Sequence, residues 1–69
     1  MRRDPLVSSS LRSAGYDSNT ETLEVQYLNG GVYRYFGVPE LVYRQLLKAD
    51  SPGTFLNKRI KPFYEVEEK

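Results

Sequence analysis

Catalysis by side chains needs a group that titrates near neutrality beside one that can attack, and this chain of 69 residues has neither His nor Cys. That removes the imidazole general base, the thiolate nucleophile and the usual zinc or iron ligand sets, so no metal or cofactor is expected. Ser8, Ser9, Ser10, Ser13, Ser18 and Ser51 are hydroxyls without a His to activate them. A Ser–Lys arrangement remains open on residue types alone. Asp17, Glu21, Glu24, Asp50 and the acids of the tail supply carboxylates, but no pair is spaced to divide acid and base roles. What is left is the chemistry of recognition, and the expectation is a binding module and not an enzyme.

Three groups of residues offer that recognition. The first is basic: Arg44 and Lys48, four apart and therefore on one helical face, with Lys58, Arg59 and Lys61 further on and Asn57 beside them. Brought together, these side chains would grip phosphates with little sequence preference and strong salt sensitivity. The second is Ser51-Pro52-Gly53-Thr54, where a helix N-terminus and a close-approaching glycine form a candidate phosphate site at Ser51, Gly53 and Thr54. Ordinary capping chemistry also accounts for Ser51 and Pro52, and that reading takes precedence. The Gly-x-x-x-x-Gly-Lys-Ser/Thr pattern of a P-loop is absent. The third is the pair Tyr33 and Tyr35, aromatics of the kind that stack on bases. Strand register assigns both rings to the core instead.

Residues 22–28 alternate Leu23, Val25 and Tyr27 with Glu24 and Gln26, the period of a half-buried strand. Asn29-Gly30-Gly31 turns the chain, and residues 32–36 return it. A two-residue turn at Asn29-Gly30 would mix polar and apolar side chains on both faces. A three-residue loop, Leu28-Asn29-Gly30 with Gly30 left-handed, sorts them: Leu23, Val25, Tyr27, Tyr33 and Tyr35 share one face, and Glu24 falls opposite Arg34. The other face is then expected to expose Glu24, Gln26, Val32, Arg34 and Phe36. Residues 10–16 read as a first strand. Pro39 suits a first helical position, followed by apolar residues at helical spacing: Leu41, Val42, Tyr43, Leu46, Leu47 and Ala49. A second helix begins with Ser51 as N-cap, presents Phe55, Leu56 and Ile60 to the core, and stops at Pro62. The expected fold is α+β: a three-stranded antiparallel β-meander covered on one face by two short C-terminal helices.

Length permits a single domain over residues 1–69, with ends expected to fray at about 1–6 and 65–69. Chains this short bury only about 60% of their unfolded surface, so the nine aromatics must supply much of the core. No apolar stretch resembles a signal peptide or a membrane span, and a cytoplasmic location with no membrane partner is expected. The net charge is only +1, but the second half is basic between an acidic centre and the acidic tail Glu65, Glu67, Glu68.

In this order these residues resemble the KTSC domain, a small bacterial module named for its place at the C-terminus of some lysyl-tRNA synthetases. The matching pieces run from Val7 to about Tyr64. They are the serines before Leu11, Gly15-Tyr16-Asp17, Leu23-x-Val25-x-Tyr27, Tyr33-x-Tyr35, Val38-Pro39, and Ser51-Pro52-Gly53 leading to Phe55, Asn57 and Ile60. The resemblance implies a domain of unassigned function, suggested by its synthetase context to bind RNA of a tRNA-like kind and found also as a stand-alone protein; where a synthetase is attached, the synthetase holds the catalytic activity. The alternative is a protein-interaction or self-associating module, using Leu28, Val32 and Phe36 on the outer sheet face and an unpaired strand edge.

Overall fold

In the computed structural model, which describes residues 2–69, each strand pairs antiparallel with its neighbour in the chain. The strands are β1 (Arg3–Pro5), β2 (Leu11–Asp17), β3 (Thr22–Tyr27), β4 (Val32–Phe36) and β5 (Glu65–Glu68). The sheet therefore has five strands and not three. The expected meander is its centre, and the two ends expected to fray add one edge strand each. An edge strand needs backbone partners on one side only, so neither Arg-Asp-Pro nor Glu-Val-Glu-Glu carries the apolar alternation that betrays a half-buried strand. Pro5 is tolerated at such an edge, and the carboxylates of β5 suit one.

The central hairpin takes the bulged register. Leu23 lies opposite Tyr35, Glu24 opposite Arg34 and Val25 opposite Tyr33. The Tyr27 N–H donates to the Gly31 carbonyl at 2.9 Å, closing the loop of Leu28, Asn29 and Gly30. Gly30 has φ of 95°, a conformation that a side chain would strain.

Helix α1 (Glu40–Lys48) begins one residue later than the sequence suggests, with Pro39 at the N-cap position. Leu46 is buried and Val42 and Tyr43 pack against the core, whereas Leu41 stays 66% exposed. Helix α2 (Pro52–Phe55) has Ser51 at its N-cap position and Pro52 in its first turn. It passes directly into a π-helical turn, Leu56–Ile60, closed by the Lys61 N–H donating to the Leu56 carbonyl. Leu11, Ala14, Leu23, Val25 and Tyr35 from the sheet meet Val38, Leu46, Leu56 and Ile60 in one core. Tyr16 and Tyr43 stack with centroids 5.1 Å apart, joining β2 to α1, and the Tyr16 hydroxyl donates to the Val38 carbonyl.

The open face of the sheet differs from expectation at Glu24, which is only 5% exposed. The added edge strands are the cause. One row across the sheet runs Arg3, Gly15, Glu24, Arg34, Glu67. Gly15 has no side chain, so Arg3 reaches over it to Glu24 at 3.4 Å. Arg34 Nε donates to the same carboxylate at 2.8 Å, and Lys69 Nζ approaches to 3.8 Å. Among the described residues, no helix is long and apolar enough to cross a membrane.

Candidate nucleic-acid interface

Of the basic residues singled out from sequence, Arg44, Lys48, Lys58, Arg59 and Lys61 are all exposed, as is Asn57. Arg44 is not free: its guanidinium donates to Glu40 one turn earlier at 2.8 and 3.2 Å. Among the described residues, Lys48, Lys58, Arg59 and Lys61 form no ion pair. The cations elsewhere are mostly engaged. Arg2 pairs with Asp4, and Arg3, Arg34 and Lys69 converge on Glu24. On the open sheet face three cations thus meet Glu24, with Glu65 and Glu67 of β5 on the same face, whereas on the helical side Lys48, Lys58, Arg59 and Lys61 have no such partner among the described residues.

The residues of the Ser-Pro-Gly segment are arranged for packing. The Ser51 hydroxyl donates to Thr54 Oγ1 at 3.0 Å and makes no capping bond to the backbone. Gly53 is buried, and a Cβ placed on it would lie 2.1 Å from Ser10 Oγ. The close approach this glycine permits is therefore taken by the chain's own serine-rich segment. That segment is itself fixed by Ser8, whose Oγ accepts from the Ser10 and Leu11 N–H groups at 3.1 Å.

The tyrosines divide. Tyr35 is 2% exposed, and burial, reinforced by the neighbouring Tyr27 and Tyr33 phenols, pushes its ionisation far above the ordinary range. Tyr33 and Tyr27 are half-buried and meet edge to face, centroids 5.3 Å apart. Together with Asn29, Asn57, Lys61 and Val66 the three rings line a cleft of about 300 Å³. Asn57 and Lys61 reach it together because residues four apart share a helical face. The structure thus joins part of the basic segment to part of the Tyr-x-Tyr motif, two features that sequence reasoning kept apart. Tyr27 and Asn29 were legible as hairpin residues. Val66 as a wall was not, because it depends on β5.

The sequence profile of the KTSC domain matches residues 7–64. The chain belongs to the KTSC family. A KTSC domain protein of Yersinia pestis, solved by crystallography, superposes with a TM-score of 0.94 at 35% identity, covering 99% of this chain and 96% of that one. An uncharacterized protein of Stutzerimonas stutzeri is 50% identical over 62 residues, 90% of this chain and 87% of its own. A lysine–tRNA ligase of Nostoc punctiforme is 37% identical over 60 residues, which are 87% of this chain but 11% of the ligase. The KTSC unit is therefore both nearly a whole small protein and a small part of a much larger one.

Proposed function

We propose that this KTSC domain is a non-catalytic module that binds RNA through the cations of its helical side. The observation that carries the reading is the exposed charge of Lys48, Lys58, Arg59 and Lys61, without an ion-pair partner among the described residues, set against a sheet face where Arg3, Arg34 and Lys69 lie within ion-pair distance of Glu24. Exposed cations without internal partners are the groups that release counterions on meeting a polyphosphate. The relatives in which the domain accompanies a lysine–tRNA ligase make tRNA the natural probe. A non-catalytic role agrees with the phenols. Tyr16, Tyr35 and Tyr43 are all shifted upward, first by burial, away from the range in which a phenol acts as base or nucleophile at neutral pH.

Self-association through a free sheet edge has less behind it, since both edges carry blocking features: Pro5 on one, Glu65, Glu67 and Glu68 on the other. Fluorescence anisotropy against labelled tRNA at a low and a moderate salt concentration tests the proposal. Binding that weakens steeply with salt is expected. Absence of binding at low salt, or binding indifferent to salt, would overturn it.

A further inference from the structure

We infer that the cleft between the hairpin and the π-helical turn holds a single unstacked nucleotide of a bound RNA strand. The inference rests on the RNA reading above and adds to it a defined site and a requirement for unpaired bases. Tyr27, Asn29, Tyr33, Tyr35, Asn57 and Lys61, with Val66, combine what one nucleotide needs. At about 300 Å³ the cleft lies at the lower end of the range for ligand pockets, room for one base with its sugar and not for a stacked pair. The edge-to-face contact of Tyr27 and Tyr33 occupies one face of one ring, so ring surface remains for a base.

The polar groups are suited to reading a base edge. Asn29 Oδ1 already accepts from the Gly31 N–H at 2.9 Å, which fixes the side chain and leaves its amide hydrogens to donate. Among the described residues, Asn57 makes no side-chain hydrogen bond within the chain, so it offers both a donor and an acceptor. Lys61, one turn beyond Asn57 and without an ion pair among the described residues, supplies the charge for the attached phosphate. Glu68 stands opposite Tyr33 on the same sheet face and repels an anion there, which directs the phosphate toward Lys61. A duplex presents its bases stacked and paired, so this cleft selects single strands and loops.

Titration of the protein with a short oligouridylate, a blunt RNA duplex and uridine monophosphate, followed by NMR, tests the site. The Asn29 and Asn57 carboxamide signals report on the cleft, and Asn19, in the β2–β3 turn, serves as control. The oligouridylate is expected to shift the cleft carboxamides and leave Asn19 unmoved, with the duplex binding more weakly. Tyr33→Leu is expected to weaken the single strand about tenfold or more, Tyr33→Phe to retain affinity, and Asn57→Ala, at an exposed position, to weaken it without change in melting temperature. Equal affinity for duplex and single strand, with Asn57→Ala and Tyr33→Leu as wild type, would overturn the cleft and leave the cationic reading standing. Uridine monophosphate shifting the cleft signals in a protein that binds no tRNA would support the site and overturn the RNA reading. Cleft signals that no probe moves would overturn the site outright.

Discussion

At the scale of single residues, Glu24 and Gly53 show two constraints on this small fold, a buried charge that needs partners and a close backbone approach that leaves no room for a side chain. Burial alone would raise the Glu24 carboxyl above the usual range. The hydrogen bond from Arg34, with the charges of Lys69, Arg34 and Arg3, outweighs burial and holds it below. Glu24→Ala leaves Arg34 and Arg3 facing each other across the sheet, and since both are partly exposed the expected loss is about 2 kcal/mol in urea unfolding. The sign of the pH effect follows from the lowered ionisation. The contribution is complete at neutral pH, begins to fall as pH approaches the ordinary glutamate value of about 4.3, and is gone below the folded value. Glu24→Gln should therefore show a shallower acid limb than the wild type when midpoints are compared from pH 6 to pH 3. At Gly53 the expectation is steric. Gly53→Ala collides with Ser10 Oγ at 2.1 Å, whereas Ser10 Cβ, at 3.5 Å, is in ordinary contact. The double variant Ser10→Ala, Gly53→Ala should recover about 1 kcal/mol relative to Gly53→Ala alone, a coupling read from a double-mutant cycle. Full additivity would show that the two residues do not press on each other.

At the scale of elements, β1 depends on a residue it does not contain. A Cβ on Gly15 would lie 2.2 Å from the Arg2 carbonyl oxygen and 2.9 Å from Arg3 Cγ. The first of these is backbone and cannot swing away. Gly15→Ala is expected to lift β1 off the sheet and cost about 2 kcal/mol, with the Leu6 amide, which donates to the Arg12 carbonyl, losing exchange protection before the rest of the chain. Protection unchanged from wild type would refute this. The same strand explains what sequence reading captured and what it missed. The β3–β4 register was legible because Leu23, Val25 and Tyr27 alternate with polar residues, and because only the bulged loop sets Glu24 against Arg34. The two edge strands were not, since Arg3–Pro5 and Glu65–Glu68 are held by backbone ladders and by the β3 carboxylate Glu24, which engages Arg3 and Lys69. The burial of Glu24 followed from that omission. So did the cleft, since Val66 can close one side of it only when β5 lies along β4. The π-helical turn was equally hidden, because its apolar spacing, Leu56 to Ile60, is the same as that of an α-helix.

At the scale of the whole molecule, charge is paired unevenly. Arg3, Arg34 and Lys69 gather round Glu24 on the open face, with Glu65 and Glu67 of β5 on the same face, whereas among the described residues Lys48, Lys58, Arg59 and Lys61 on the helical side, and Arg12 on β2, have no ion-pair partner. This asymmetry separates a local patch from a general attraction of a basic protein to a polyanion. If Lys48, Lys58, Arg59 and Lys61 are the phosphate-binding groups, the logarithm of tRNA affinity should fall with the logarithm of salt with a slope of up to about −3.6. Lys58→Gln should make that slope shallower by about 0.7 to 0.9, one released counterion. Lys69→Gln removes the same charge from the opposite face, where Lys69 lies 3.8 Å from the Glu24 carboxylate, and should leave the slope at its wild-type value. If Lys69→Gln reduces the slope as much as Lys58→Gln, the attraction follows net charge and no helical interface exists. If Lys58→Gln alone reduces it, phosphates lie along the π-helical turn, beside the cleft where Asn57 and Lys61 meet the tyrosines.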